Sequence, residues 1–406
     1  MKKTLLLCLL FICAAVKIQP QDSKSSFGVT FNGYVNLAVF YDTRETVSSR
    51  EGHLLLYPAP RLMDPRGNDI NAHSTFNMLA AQTRLAGKIT APDVLSAKTS
   101  GWIEGEFIGH SDPDINGFRL RHAYVKLNWK SAELLMGQYW NPFFVVETSP
   151  GQMGSSAGAP FSGFARNPQL RFTYTPGSMQ LMAAVLTQRD FASTGPNGNS
   201  SIYLRNSGMP EVQLQAQYKT SSALAGAGVS YKNLVPRTAS AKNYKTDNKA
   251  ESLAFTAFAK ASYGMFTAKA QTIYGSNITD LTAIGGYAVK STDSVTAIEE
   301  YTPVFTHSVW AEVEYGKAVK GAVFAGYTKN LGAKDNIAGA IFSRGGNIDK
   351  ILRIAPRITW DINKIKLALE CDYVAAYYGT PDAKARVKNT YKSENTRLLG
   401  SVFYYF

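Results

Sequence analysis

Cysteine is scarce, with three in 406 residues. Two of them, Cys8 and Cys13, sit in an apolar leader at the start of the chain. Only Cys371 remains beyond it, so no intrachain disulfide can staple the mature fold. After residue 21 the chain lacks any apolar run of 18 residues, which excludes a membrane-spanning helix. Charge is sparse as well, at 18% of residues. An H-E-x-x-H motif and a paired C-x-x-C are both missing, and the five histidines are too dispersed to gather a metal. No internal repeat of 20–50 residues is visible, which argues against propellers and solenoids.

What the chain does have is Tyr (22), Phe (21) and Gly (33) in abundance, the composition of aromatic-rich strands with glycine-bearing turns. Lys2 and Lys3 precede a short apolar core from Leu5 to Val16, the form of an export signal. Residues 1–21 are therefore read as a signal peptide, cleaved between Ala15 and Gln21, and residues 22–406 as a single unit. Removing Lys2, Lys3 and Lys17 lowers the formal charge from +13 to +10. A basic balance can serve nucleic acid, but an exported chain rarely meets any.

Strict alternation runs through the remainder. In Pro210–Tyr218, Val212, Leu214, Ala216 and Tyr218 share one face, while Glu211, Gln213, Gln215 and Gln217 share the other. A strand with lipid on one side and water on the other has this pattern, whereas a helix would mix the two sets. Leu352–Trp360 repeats it, although Pro356 in mid-strand removes one ladder donor. Sixteen such segments can be counted, from 27–41 to 394–406. Connections after the odd segments mostly run from about 18 to 32 residues, with 111–117 a short exception; those after even segments are three to eight. A soluble sandwich has no reason to sort its loops by parity, but a transmembrane barrel does. At the end, Leu398, Gly400, Val402, Tyr404 and Phe406 alternate outward. The expected fold is all-β: a 16-stranded antiparallel transmembrane β-barrel with short periplasmic turns and long extracellular loops.

The stretch Phe118-Arg-Leu-Arg-His-Ala-Tyr-Val-Lys-Leu-Asn-Trp129, followed by Leu134-Leu-Met-Gly-Gln-Tyr-Trp-Asn-Pro142, resembles the DcaP-like and phosphate-selective porins. The motif covers about 25 residues, and strand count, loop parity and the terminal Phe extend the similarity along the mature chain. The resemblance implies an outer-membrane location in a Gram-negative bacterium and a homotrimer of barrels. It also implies that the loop after strand 5 folds inward as a constriction. Basic positions here are scattered, which departs from the long arginine ladder of phosphate-selective porins. The phase set by Ala123, Val125, Leu127 and Trp129 puts Arg119 and Arg121 outward as well. A bulge would turn them in; otherwise they lie above the membrane or at a trimer contact.

Loop 141–167 carries a run of small residues from Gly151 to Pro160 that would let backbone pack close to a wall. Inside it, Gly154-Ser-Ser-Ala-Gly158 has the G-x-S-x-G spacing, but no helical pattern follows to form a nucleophile elbow at Ser156. With no nucleophile and base in view, the chain is not read as an enzyme. The pore-lining and constriction candidates are Glu104, Glu106, Lys126, Glu147, Arg166, Arg171, Arg353, Arg357, Lys366 and Arg397. Arg353, Arg357, Lys366 and Arg397, on strands 14–16, are expected to face water opposite Glu104 and Glu106 on strand 3. Opposed walls of that kind would set up a transverse field.

Asp112, Asp114 and Asn116 reproduce the first half of a calcium loop, D-x-D-x-N-G, but Ala123 stands where the bidentate Glu belongs. A Ca2+ site or a plain turn both fit. No other cofactor is implied. The expected function is passive diffusion of small polar, preferentially anionic, solutes through a water-filled pore. A substrate-specific channel and an outer-membrane enzyme are the alternatives. The expected partners are the bilayer, lipopolysaccharide, two further copies of the chain and the solutes, with no nucleic acid.

Overall fold

Alternation in the sequence becomes alternation in space. Along Glu211–Lys219 the residues at 211, 213 and 215 are buried and those at 212, 214 and 216 exposed, so polar side chains point into a lumen and apolar ones outward. The computed structural model describes residues 27–154 and 157–406. The expected signal peptide and Ser156 lie outside the described residues.

Sixteen strands close into one ring. The first six are β1 (Gly28–Asp42), β2 (Thr75–Leu79 continued by Arg84–Thr90), β3 (Lys98–Glu106), β4 (Arg119–Asn128), β5 (Ala132–Trp140) and β6 (Arg166–Tyr174). Next come β7 (Met179–Leu186), β8 (Glu211–Lys219), β9 (Ala223–Leu234), β10 (Ala250–Tyr263) and β11 (Phe266–Ser276). The last five are β12 (Glu299–Gly316), β13 (Val319–Ala333), β14 (Ile348–Ile362), β15 (Ile365–Pro381) and β16 (Val387–Tyr405). Each pairs antiparallel with its sequence neighbours, and β16 closes on β1 from Tyr34↔Tyr405 to Asp42↔Arg397. Closure satisfies the ladder on both edges, which hydrocarbon requires because it offers a bare N–H no partner.

The two ends of the ring differ. Connections after even strands are tight turns, such as 264–265 and 317–318. Those after odd strands are long, except after β15, where an 18-residue loop was expected. There β15 and β16 continue as a tall hairpin, leaving only 382–386 between them. Two short strands, Gly285–Thr292 and Ile341–Arg344, extend the sheet beside β12 above the loop-end rim. Tyr263, Trp360 and Tyr404 are exposed at the turn end, in the position of an aromatic girdle. Pro356 is accommodated because the β14–β15 ladder pairs Ile354↔Tyr373 and Arg357↔Glu370 but skips the two residues between.

Candidate functional site

Two loops fold into the barrel. The first, 141–165 after β5, is tied down by inward glutamines whose strand phase points them at it. Gln215 donates to the carbonyl of Pro142 at 3.0 Å and Gln271 to that of Phe143 at 2.6 Å. Further along, the Gly151 N–H donates to the Glu312 carboxylate (2.9 and 3.1 Å) and the Met153 N–H to Glu370 (3.1 Å). Phe161 lies in a notch on β13 at Gly326, where a Cβ would stand 2.6 Å from its ring. The second loop was not expected inside. After β1 the chain forms a small hairpin, Thr46–Ser49 against Leu54–Pro58, that dips into the lumen. Leu54, Leu55, Leu56 and Tyr57 are buried with Phe144, Phe161 and Phe164 of the other loop and with Trp310 and Phe324 of the wall. Neither loop could keep such side chains in a wet lumen alone; together they shield each other, at roughly 1.5–3 kcal/mol per buried side chain.

This packing changes the role of three candidate arginines. Arg353 donates to the carbonyls of Ala159 (2.8 Å), Leu55 (3.0 Å) and Leu56 (3.0 Å), with Asp372 at 3.3 Å, and so ties both loops to β14. Arg357 donates to Glu312 at 2.6 Å and reaches Glu314 at 3.2 Å. Arg397 pairs with Asp42 at 2.7 Å and donates to the carbonyl of Gly52 at 2.7 Å. All three were expected to face water, and all three are buried. A guanidinium presents several donors in a fixed fork, which suits it to gathering loop carbonyls. The three arginines of the expected basic wall are therefore covered and neutralised where they stand, while Lys366 stays half-exposed near the turn end.

The open side of the lumen lies at β2–β4. A bulge opposite Glu104 and Gly105 lets Arg119, Arg121 and His122 all pack inward, which resolves the phase of the motif strand in favour of the bulge. Arg121 donates to Glu104 (2.7 Å) and to both oxygens of Glu106 (2.8 Å each). Arg119 donates to Glu106 (2.7 Å) and Asp190 (3.1 Å), Arg84 to Glu106 (3.1 Å), and Arg166 to Asp190 (2.6 Å). The Arg166 and Arg121 guanidinium carbons stand 4.9 and 5.6 Å from the Trp140 ring centroid. Burial alone would raise the pKa of Asp190, in the loop after β7, but Arg166 and Arg119 hold it below the usual carboxylate range.

Between this wall and loop 141–165 is a cavity of about 260 Å³, which we call the eyelet. Above it lies a vestibule of about 510 Å³. Ser49, Arg50, Leu54 and Phe191 line both. Arg50, at the tip of the β1 hairpin in a left-handed conformation (φ 62°), makes no salt bridge among the described residues, and its Nε is buried without a partner. Burial, and then the nearby Arg119 guanidinium, push its pKa down.

Other candidates lie apart. Lys126 pairs with Glu133 (2.9 Å), and Arg171 donates to the carbonyl of Trp140 (2.6 Å). Near the turn end, Glu147 pairs with Lys219 (2.6 Å) and Lys366 with Asp361 (3.6 Å). The half calcium loop is a turn: Asp112 accepts the N–H of Arg50 (2.6 Å), Asp114 accepts that of His110 (2.9 Å), and Asn116 adopts φ 78°. With these carboxylates serving separate amides, no group of three metal-ligating side chains forms among the described residues. Arg50 and Asp190 carry no strand phase and were not among the expected pore-lining residues, whereas the phase of β2 does point Arg84 into the lumen. The signal for Arg50 was the continuous apolar run Leu54–Tyr57 beside it.

A closed sixteen-stranded ring with a greasy exterior and inward loops defines a channel protein of the outer membrane. A family model described as Gram-negative porin matches residues 6–387, and the chain belongs to that family. No curated protein matches it. Among solved structures, the outer membrane channel DcaP of Acinetobacter baumannii is similar at TM-score 0.67 and 17% identity, covering 95% of this chain and 99% of that one. OmpT of Vibrio cholerae, an outer-membrane protein, gives 0.56 and 11% over 95% and 99%. An anion-selective porin from Comamonas acidovorans gives 0.54 and 12% over 94% and 100%. These likenesses show a shared barrel fold, and the protein is an outer-membrane porin.

Proposed function

We propose that the protein passes small polar solutes by diffusion, with a preference for anions, through the eyelet between loop 141–165 and the β2–β4 wall. The charge count at that eyelet carries the reading. Arg50, Arg84, Arg119 and Arg121 line it with the carboxylate of Glu106, while Glu104, Asp190 and Arg166 stand in the ion-pair network behind them. Arg189 and Arg344 add to the excess in the vestibule above. Fixed cations in a narrow, partly desolvated passage lower the barrier for anions and raise it for cations. The solved anion-selective porin from Comamonas acidovorans has a similar fold, which is compatible with this reading. The pore is read as a passive one with no catalytic step, because its buried acids and bases are engaged with one another.

We further read the assembly as a homotrimer, with the solved trimer form of Vibrio cholerae OmpT in support. The net positive chain suits an outer leaflet of anionic lipopolysaccharide. The experiment is a reversal-potential measurement on purified protein in planar bilayers under a KCl gradient. Anion preference supports the reading, and cation preference rejects it.

A further inference from the structure

The eyelet is unusual in having one cationic side and one aromatic side. Trp140, Phe144, Phe164 and Phe191 line it together with the arginine wall, so a solute passing through meets rings as well as charge. Arg84, Arg119 and Arg121 of the wall and Arg166 on β6 each hold a carboxylate at 3.1 Å or closer, in a network of Glu104, Glu106 and Asp190. Arg50 differs. It comes from the β1 hairpin, not from the wall, and among the described residues its guanidinium makes no ion pair, although Asp112 accepts its backbone N–H at 2.6 Å and Asp190 and Glu106 act on it from further off. It stands where vestibule and eyelet meet, with Phe191 lining the same two cavities. A paired guanidinium offers an incoming anion little, because its counter-charge must first be displaced; an unpaired, half-buried one offers a charge-assisted hydrogen bond outright.

We infer that the eyelet is a binding site for small monoanions bearing an apolar ring, the carboxylate at Arg50 and the ring against Phe191 and Trp140. One free cation selects one negative charge, since a second carboxylate on the solute would meet a network that already carries its own. The aromatic side selects a ring over a bare polar anion, because ring faces and edges gain from stacking where water gains nothing. The size permits it: a cavity of about 260 Å³ has room for a single-ring carboxylate.

This inference rests on the anion-passing reading above, and its test separates the two. Chloride current through the purified porin in planar bilayers is titrated with benzoate, acetate and succinate. Benzoate is expected to block saturably at a concentration about tenfold below that of acetate or succinate, the worth of one good contact. Arg50→Ala should raise the half-blocking benzoate concentration by about tenfold, with Arg50→Lys restoring part of it. Phe191→Ala should weaken benzoate block several-fold more than acetate block. Both residues sit in loops away from the barrel ladder, so the variants should still fold. If chloride is preferred over potassium but acetate or succinate blocks as well as benzoate, the ring-monoanion site is overturned while the anion-passing reading stands. The site is overturned equally if Arg50→Ala leaves benzoate block unchanged. Cation preference in the parent protein overturns both.

Discussion

Arg357 on β14 reaches past β13 to Glu312 on β12 at 2.6 Å, and the same carboxylate accepts the backbone N–H of Gly151. One ion pair therefore braces three neighbouring strands and pins the middle of the constriction loop. Both side chains are almost wholly buried. Removing one partner leaves the other buried without its counter-charge, a cost on the order of 3–5 kcal/mol. Glu312→Ala should therefore leave Gly151 without its anchor and let the loop lift from the wall. The expected result is a larger, noisier single-channel conductance with a lower unfolding temperature in detergent. A conductance equal to that of the parent would show that the other anchors hold the loop unaided.

The notch at Gly326 offers a steric version of the same test. Phe161 fills the space that any side chain at 326 would need. Gly326→Leu should expel the ring from its place between Arg353 and Phe324, at a cost of about 1–3 kcal/mol for the overpacking. Because β13 is paired along both edges, the barrel itself should survive. The change should appear in solute-uptake rates of reconstituted vesicles, with larger solutes gaining most. Unchanged size exclusion would mean that Phe161 does not set the loop's position.

How much of this was legible beforehand depends on which force decided each feature. Strand number and face followed from local alternation, since lipid and water impose opposite demands on successive residues; the phase of Val212 and Gln213 was enough. Glu104 and Glu106 were placed inward correctly for the same reason. Arg119 and Arg121 could not be assigned because a bulge shifts phase without a mark in composition. Arg353, Arg357 and Arg397 were placed on the right face with the wrong surroundings. Alternation reports direction, and it carries no information on whether a distant loop will cover the residue. The β1 hairpin was missed for that reason too: Leu54–Tyr57 finds its apolar partners in Phe144 and Phe161, about 90–105 residues away in sequence.

That hairpin makes its own demand on the lumen. Leu56 is 4% exposed in the shared apolar cluster. Leu56→Asp would bury an unpaired carboxylate there, which the protein can avoid only by releasing the hairpin. Wider access follows, because Arg50 would leave the boundary between vestibule and eyelet. The expected readout is a higher conductance together with weaker anion preference, which no loosening of loop 141–165 alone would produce. If anion preference is retained in full, the wall arginines alone set it.

His53 gives the hairpin a pH dependence whose sign can be worked out. The ring is buried beneath the hairpin, 3.2 Å from the Gln82 side-chain oxygen. Burial lowers its pKa from 6.5 to about 4; the Gln82 hydrogen bond and Glu106 oppose that shift, while Arg397 and Arg119 reinforce it. The docked state therefore holds His53 neutral, whereas a released hairpin would take up a proton near pH 6.5. Above that pH both states are neutral and docking is at full strength. As pH falls from 6.5 towards 4, only the released state gains the proton, and docking weakens by up to about 3 kcal/mol. Conductance is expected to rise or flicker across this window on acidification of the loop side. His53→Phe, which keeps the ring and removes the titration, should abolish that response. A pH profile that is the same in the parent protein and the Phe variant would assign the acid response to some other group.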